Sequence, residues 1–546
     1  MSKPTKIWLA AGIILFILGV AIAAFSILDR WVEGKIKTAI TEKIKAPNSL
    51  GYGFMEASFF DGTLVVKDVV ATVYLGKWKR KAEIAIPSIR LEGIGWMDVV
   101  FSRAVNIEKL KIDNPAIAVS WEEKPDSLTR EPTSVKAGKL KCVSIGQIFI
   151  RHGQFSFLKK TKESLPEMEA DTFNLELGEL SLLVEKEGQP LSVVSADLDL
   201  YNFMHRDDNN LSDISFRHIH LSKKDSVLEV LGFRVVPKLS KRDFSAQLKY
   251  KKSRLELDFP SVKVSGWQFD QLWKGKIVGR TVLFDHMKIG IFSDRNLPID
   301  PNTYKPFPQE QLLKTSLGLT FDTIKVKDGW LIYENLGMDR LTPGRLEFES
   351  MEALLTNVTN DTARIRQQPV LEIQVDATLH NKYNVNQHLW MNLGSPSYAF
   401  TYTGNAANIP FVEFNAFLAP AHHFEFEAGT IQRLAYRINA DKDVARGELT
   451  LEYEGLEFGL LDEKREKKKF LSKIVDLFFI DGVNTKGEKD FKKGEVYAVR
   501  NTRRSFYYFW WNAIQSGIKT SILSDKAIER MGGKQLAKKK KQKKGR

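Results

Sequence analysis

The first apolar run, Ile7 to Leu28, constrains this chain more than any other stretch. Its 22 residues carry no charge. As a helix they rise about 33 Å, enough to cross a bilayer core of ~30 Å. Lys3 and Lys6 precede the run, and Asp29-Arg30 close it. Ala21-Ile22-Ala23 has the small-x-small form of a cleavage site, but the apolar run continues through Phe25, Ile27 and Leu28. That exceeds the core of an ordinary leader, about 7–15 residues, so an uncleaved anchor is expected. Basic residues lie on both sides of it, and long domains translocate largely regardless of such charges. The leader-like start therefore places the N-terminus in the cytoplasm and the body outside. No second run of that length follows in the 546-residue chain. The expectation is one span and one large body.

Charge narrows what that body does. The formal net charge is +14, and KKKKQKKGR at 538–546 supplies seven of the positive charges. The remainder is close to +7, so the chain is not a uniformly basic nucleic-acid binder. A composition of 43% hydrophobic and 27% charged residues is that of a folded protein. The single cysteine, Cys142, excludes an intrachain disulfide and a thiol pair for redox or zinc work.

Five stretches are expected: 1–28, the cytoplasmic start and anchor; 29–49, a juxtamembrane helix; 50–460, a β-rich body; 461–533, a helical segment; and 534–546, a disordered basic tail. In the second, Val32, Ile36, Ile40 and Ile44 recur every fourth residue between lysines, one apolar face on a short helix. From Gly51 the pattern changes to short runs with period-2 alternation, separated by Gly, Asn or Asp. Ile84-Ala85-Ile86, Ile89-Arg90-Leu91-Glu92 and Lys109-Leu110-Lys111-Ile112 are examples. The fold class is mainly β, an elongated antiparallel body with C-terminal helices.

VSIGQIFIRHGQFSFL (143–158) echoes LTFDTIKVKDGWLIYE (319–334). Ile148 matches Ile324, Ile150 matches Val326, and Gly153 matches Gly329. Each reads as a strand, a glycine turn and a return strand. Repeated strand units favour an extended sheet over a closed one. One face of such a sheet is apolar and must be covered, by a second sheet, by helices or by an apolar guest. Ile84, Ile86, Leu110, Ile112, Ile148, Ile150, Ile324 and Val326 are the candidates to line it, with Lys111 and Lys325 on the opposite face.

The C-terminal segment FYYFWW (506–511) leads into Ile514, Ile518 and Ile522 at helical spacing. Asn512, Gln515 and Lys519 make it a poor span but a good interfacial or core-packing helix. Tyr507, Tyr508, Trp510 and Trp511 are the candidate membrane-interface residues.

No catalytic motif is present: no G-x-S-x-G, P-loop, H-E-x-x-H or C-x-x-C. His218-Ile219-His220 would place two imidazoles on one strand face, too few for a metal. Asp197 and Asp199 share a strand face that alternation makes the wet side. Asp207-Asp208-Asn209-Asn210 lacks the Gly and Glu of a calcium loop. His422-His423 point apart if extended. No enzyme activity, cofactor or metal is expected.

The start of the chain resembles AsmA-like envelope proteins: an anchor, a juxtamembrane helix, GTLVVKDV (62–69) and IEKLKIDNPAIAV (107–119). GTIQRLAYRINADKDVARGELTLEYEGL (429–456) resembles that superfamily's C-terminal pattern. Together these cover about a third of the chain. The family is related to TamB and the bridge-like lipid-transfer proteins. The resemblance implies a bacterial inner-membrane protein whose periplasmic β-groove handles phospholipid or another acyl-chain lipid in transport or outer-membrane homeostasis. A second membrane or outer-membrane proteins would be its further partners. The alternative is a non-enzymatic assembly or scaffolding factor that binds outer-membrane proteins through a strand edge. A third reading, an envelope hydrolase, needs acid/base residues that the chain does not cluster.

Overall fold

The computed structural model describes residues 48–58, 61–75, 80–95, 104–121, 142–158, 166–183, 191–206, 211–338, 340–421, 424–460, 482–488 and 490–523. The expected anchor, the juxtamembrane stretch up to residue 47, the run 461–481 and the tail lie outside them. Among the described residues, strands dominate and no helix is long and apolar enough to cross a membrane. The chain divides into two compact units at Arg234/Val235.

The first unit contains β1 (Ser49–Gly51), β2 (Phe54–Ser58), β3 (Thr63–Leu75), β4 (Arg80–Glu92), β5 (Ala104–Asp113), β6 (Ala116–Trp121), β7 (Cys142–Leu158), β8 (Met168–Leu183), β9 (Leu191–Ser192), β10 (Ser195–His205) and β11 (Ser212–Ser222). β12 (Val227–Pro237) crosses the boundary. β1 and β2 both pair with β3, and β3 with β4. β4 pairs with β5 and β6, which form one strand interrupted at Asn114-Pro115. That broken strand runs parallel to β7. β8, β10 and β11 then follow antiparallel.

The second unit contains β13 (Ser253–Ser265), β14 (Lys276–Asp285), β15 (Lys288–Asp294), β16 (Gly318–Leu336), β17 (Gly344–Thr359), β18 (Val370–Leu379), β19 (Tyr383–Asn392), β20 (Phe400–Pro410), β21 (Phe424–Ala440), β22 (Val444–Leu460) and β23 (Gly494–Val499). Its helices are α1 (Lys241–Ala246), α2 (Pro308–Lys314), α3 (Thr362–Gln367), α4 (Asn415–Ala421) and α5 (Phe506–Ile522). β13 pairs with β14 and β15, again one strand broken, at His286-Met287. The pieces run parallel to β16. β16 to β23 then pair antiparallel in chain order.

The two echoing segments, β7 and β16, therefore occupy the same place in the same four-strand arrangement. Neither contains a return turn. Each is one long strand with a register shift at its glycine, Gly153 or Gly329. The residue before that glycine takes positive φ (His152 53°, Asp328 50°), as does the residue at the break beside it (Asn114 54°, His286 55°). Asn114 N–H donates to Arg151 O at 2.8 Å, and His286 N–H donates to Lys327 O at 2.9 Å. The hairpin expectation failed because glycine at a bulge and glycine at a turn leave the same mark in a sequence. The sheet is mainly antiparallel, as expected, with two parallel joins, to β7 and to β16. Both parallel joins follow long connections, as parallel pairing requires.

The irregularities re-phase the side chains. Because the period is two, a strand of β7's length cannot follow a bend and keep one face buried without slipping by a residue. β4 buries Ile84 and Ile86, slips at Pro87-Ser88, then buries Ile89 and Leu91. β7 buries Val143 and Ile145, slips at Gly146-Gln147, then buries Ile148 and Ile150.

The main core of the second unit lies on β18–β23 beneath α2, α3 and α5. Tyr402, Ile438, Leu449 and Ala513 are fully buried there. β23 falls in a stretch expected to be helical. Its Val496 and Ala498 pack into this core.

Candidate functional site

The eight candidate lining residues all lie on sheet faces, but in two different settings. Cross-strand pairing places Leu91, Leu110, Ile148 and Leu177 in one row of the first unit. Ile89, Ile112, Ile150 and Leu175 form the next row. Ile84 and Ile86 extend the same face. All six candidates of this unit are buried, and Ile112 and Ile148 are 0% exposed. Leu177, in the first of these rows, is only half-buried.

The second unit is different. Val264, Val282, Ile324, Leu355, Ile373, Leu389, Tyr402 and Ile438 stand side by side in one row across eight successive strands. Both ends of the row are buried, but Ile324, Leu355 and Ile373 in its middle are only half-buried. Beside them Phe284, Ala353 and Val375 are also half-buried, while Val326 is buried. The reverse face is mixed: Lys325 is exposed and Glu372 and His388 pair at 2.6 Å, but Leu283 and Leu354, both half-buried, flank Lys325 in its row. This alternation is what selects one face for apolar contact.

Both ends of the half-open stretch are closed. β16, β18 and β20 run the same way, so Phe400 marks one end and Phe411 the other. At the first end Phe307 stacks on Phe509 and meets Phe400 and Phe506 edge-on, with ring centroids 5.4–5.9 Å apart. The Arg500 guanidinium lies 3.7 Å from the Phe307 ring centroid. It also donates to Lys305 O at 2.8 Å. Glu310 sits beside it and accepts from Tyr304 Oη at 2.9 Å, Lys314 Nζ at 2.7 Å and the Phe307 N–H at 3.2 Å. Burial pushes the Glu310 carboxyl up, but these donors outweigh it and hold the group below its ordinary value.

At the other end the β20–β21 connection folds back so that α4 touches β16, β17 and β21. Phe417 packs 5.9 Å from Tyr333. Asn415 clamps the connection by two hydrogen bonds to the Phe426 backbone, at 2.7 and 2.8 Å. From Phe321 to Tyr333, β16 spans twelve residue steps, about 40 Å of strand. An acyl chain accounts for half of a ~30 Å bilayer core, so the stretch is long enough for one laid along the strands.

One polar interruption breaks the neighbouring row. Tyr436 Oη donates to Gln387 Oε1 at 2.6 Å, and Gln387 Nε2 donates to Thr403 O at 2.6 Å. The Tyr436 ring lies over Gly404, where a Cβ would meet its hydroxyl at 2.2 Å. A cleft of about 540 Å³ opens here, lined by Gly404, Ala406, Leu434 and Tyr436. Burial pushes the Tyr436 and Tyr402 phenols far up, so both stay neutral.

The remaining candidates separate cleanly. His218 Nε2 and His220 Nδ1 both contact Asp199 Oδ1, at 2.8 and 3.0 Å, and Tyr201 stacks on His218. One carboxylate oxygen satisfies both rings, and no group among the described residues is arranged to hold a metal ion. Asp207–Asn210 and His422-His423 lie outside the described residues. Of the C-terminal aromatics, Trp510 turns inward, its ring centroid 6.3 Å from that of Tyr402, whereas Tyr507, Tyr508 and Trp511 are exposed.

Sequence reasoning missed a signal for the doubled arrangement. IPSIRLEG (86–93) and FPSVKVSG (259–266) match in the strands that precede the two broken ones. Their closing glycines, Gly93 and Gly266, take φ of 67° and 69°. A Cβ on either would meet a cross-strand Cβ at 2.4 or 2.7 Å, so both positions exclude other residues. Comparison with family models and with curated proteins returns no match.

Proposed function

We propose that this chain is a membrane-anchored lipid-handling protein of a bacterial envelope, and that the half-open apolar stretch of the second unit is its acyl-chain site. The observation that carries the reading is the run Ile324–Leu355–Ile373, apolar and half-buried inside a row that is buried at both ends. A dry core would continue the burial of Val282 and Leu389 across the middle. A solvent face would carry polar residues in that row, as the reverse row does at Lys325, Gln374 and His388 alongside Leu283 and Leu354. Anchoring by Ile7–Leu28 and a periplasmic body extend the reading, as does the resemblance of 62–69, 107–119 and 429–456 to AsmA-like proteins. The proposed role is carriage of lipid rather than chemistry on it.

The scaffold alternative needs an open strand edge. Beyond its pairing with β23, β22 is occupied at one point, where Asn484 and Tyr453 exchange backbone hydrogen bonds at 2.9 and 3.2 Å; the outer side of β23 is the strand edge this alternative would use. Asn484 Nδ2 also donates to Leu451 O at 2.6 Å. The test is native mass spectrometry of the full-length chain purified in mild detergent. Phospholipid retained at fixed stoichiometry supports the reading; a lipid-free chain would sink it.

A further inference from the structure

α5 turns two faces to two different partners. Its inner face seats Phe506, Phe509, Ala513, Ile514 and Gly517 on β22 and β23. The approach is close: a Cβ on Gly494 would meet Gly517 O at 2.2 Å. The helix is therefore fixed without help from its outer side. Yet that outer side exposes Tyr507 (68%), Tyr508 (43%) and Trp511 (41%). Three large aromatics within five residues, spaced i, i+1 and i+4, make one contiguous patch. Folding gains nothing by leaving them in water.

The surroundings of that patch are cationic. α5 contains no Asp or Glu. The Arg504 guanidinium lies 4.9 Å from the Tyr508 ring centroid. Lys251 lies among like charges: burial first, then repulsion from Arg504 and Arg295, pushes its ammonium down to about 8, against the pull of Asp294. An anion brought to this group would relieve the repulsion. Beyond Leu523 the chain continues into KKKKQKKGR, of the same sign.

We propose that the outer face of α5, with Lys251, Arg295 and Arg504, is a docking surface for an anionic phospholipid bilayer, separate from the N-terminal anchor. Aromatic rings with polar tips settle at headgroup depth, and the cations meet the phosphates. The charge of the patch complements an anionic lipid surface. The inference does not rest on acyl chains in the β16–β18 stretch, and either can fail alone.

The full-length chain, held by its own anchor in phosphatidylcholine nanodiscs, is mixed with vesicles, and vesicle capture is scored by flotation. Phosphatidylglycerol vesicles should be captured and phosphatidylcholine vesicles should not, with capture falling as salt rises. Replacing Tyr507, Tyr508 and Trp511 together by Ser should lower capture at least about tenfold, as should the pair Lys251→Met and Arg504→Gln. Thermal midpoints of both variants should not fall, because the altered aromatics are exposed and Lys251 is repelled. Tyr507→Trp with Tyr508→Trp should retain capture. Variants captured like the wild type, equal capture of neutral vesicles, or no capture at low salt would each overturn the proposal; the first would place binding in the tail.

Discussion

Replacing Ile148 and Ile324 in turn by Asp separates a dry core from a guest surface, because the two positions are equivalent in strand and differ in cover. Ile148 is 0% exposed between Leu110 and Leu177. Losing its burial costs about 2–3 kcal/mol. A carboxylate left there without a partner adds several more. The sum reaches the ~5–15 kcal/mol that holds a whole domain, so Ile148→Asp should not yield a folded first unit. Ile324 is half-buried, so about half the burial term is lost, and its carboxylate reaches water. The expected cost is about 1–2 kcal/mol, and the chain should still fold. The assays are near-ultraviolet circular dichroism with thermal unfolding, and lipid retention in the same preparations. Ile324→Asp should fold and lose its lipid. If it unfolds as completely as Ile148→Asp, the middle of the row is ordinary core and the reasoning fails.

Lys251→Met should stabilise the chain at pH 7. The native ammonium titrates near 8 against 10.5 when unfolded, so its cost is full below 8 and fades as pH rises toward 10.5. Urea midpoints should show a gain at pH 7 that shrinks by pH 10; a gain independent of pH would contradict this. Glu310→Gln should cost about 1–3 kcal/mol at neutral pH by weakening three donated bonds. Because the native carboxyl titrates below its ordinary 4.5, that cost should be complete above 4.5 and disappear as pH falls through the native value. A difference in melting that persists unchanged into acid would refute the assignment. Gly93→Ala and Gly266→Ala should destabilise alike, by at least about 1 kcal/mol each, since both sit at positive φ against a cross-strand Cβ. Unequal losses, read by denaturant midpoints, would mean that the two bends are not equivalent.

What could be read from the sequence followed from the period of two. Alternation puts Ile84, Ile86, Leu110, Ile112, Ile148 and Ile150 on one apolar face, and each is buried on its strand. Strand lengths were not legible, because a slip looks like an ending. Ile84–Ile86 and Ile89–Leu91 are one strand around Pro87-Ser88. Gly153 and Gly329 mark bulges for the same reason that they suggested turns: both need a backbone without a Cβ. The difference between Ile148 and Ile324 was invisible. The flanking patterns are equally apolar, and cover is set by tertiary contacts that a local pattern does not carry. Trp510 and Trp511 are adjacent, yet one faces Tyr402 and the other solvent. Only the seating of α5 on β22 decides between them.

The most direct test places a photo-crosslinking residue in the full-length chain in living cells, at Ile324, Leu355 or Ile373, and at Lys325 as the opposite-face control. After irradiation, adducts on the purified protein are identified by mass. Phospholipid adducts are expected at the three apolar positions and none at Lys325. Equal labelling of both faces, or protein adducts in place of lipid at Ile324, Leu355 and Ile373, would contradict this.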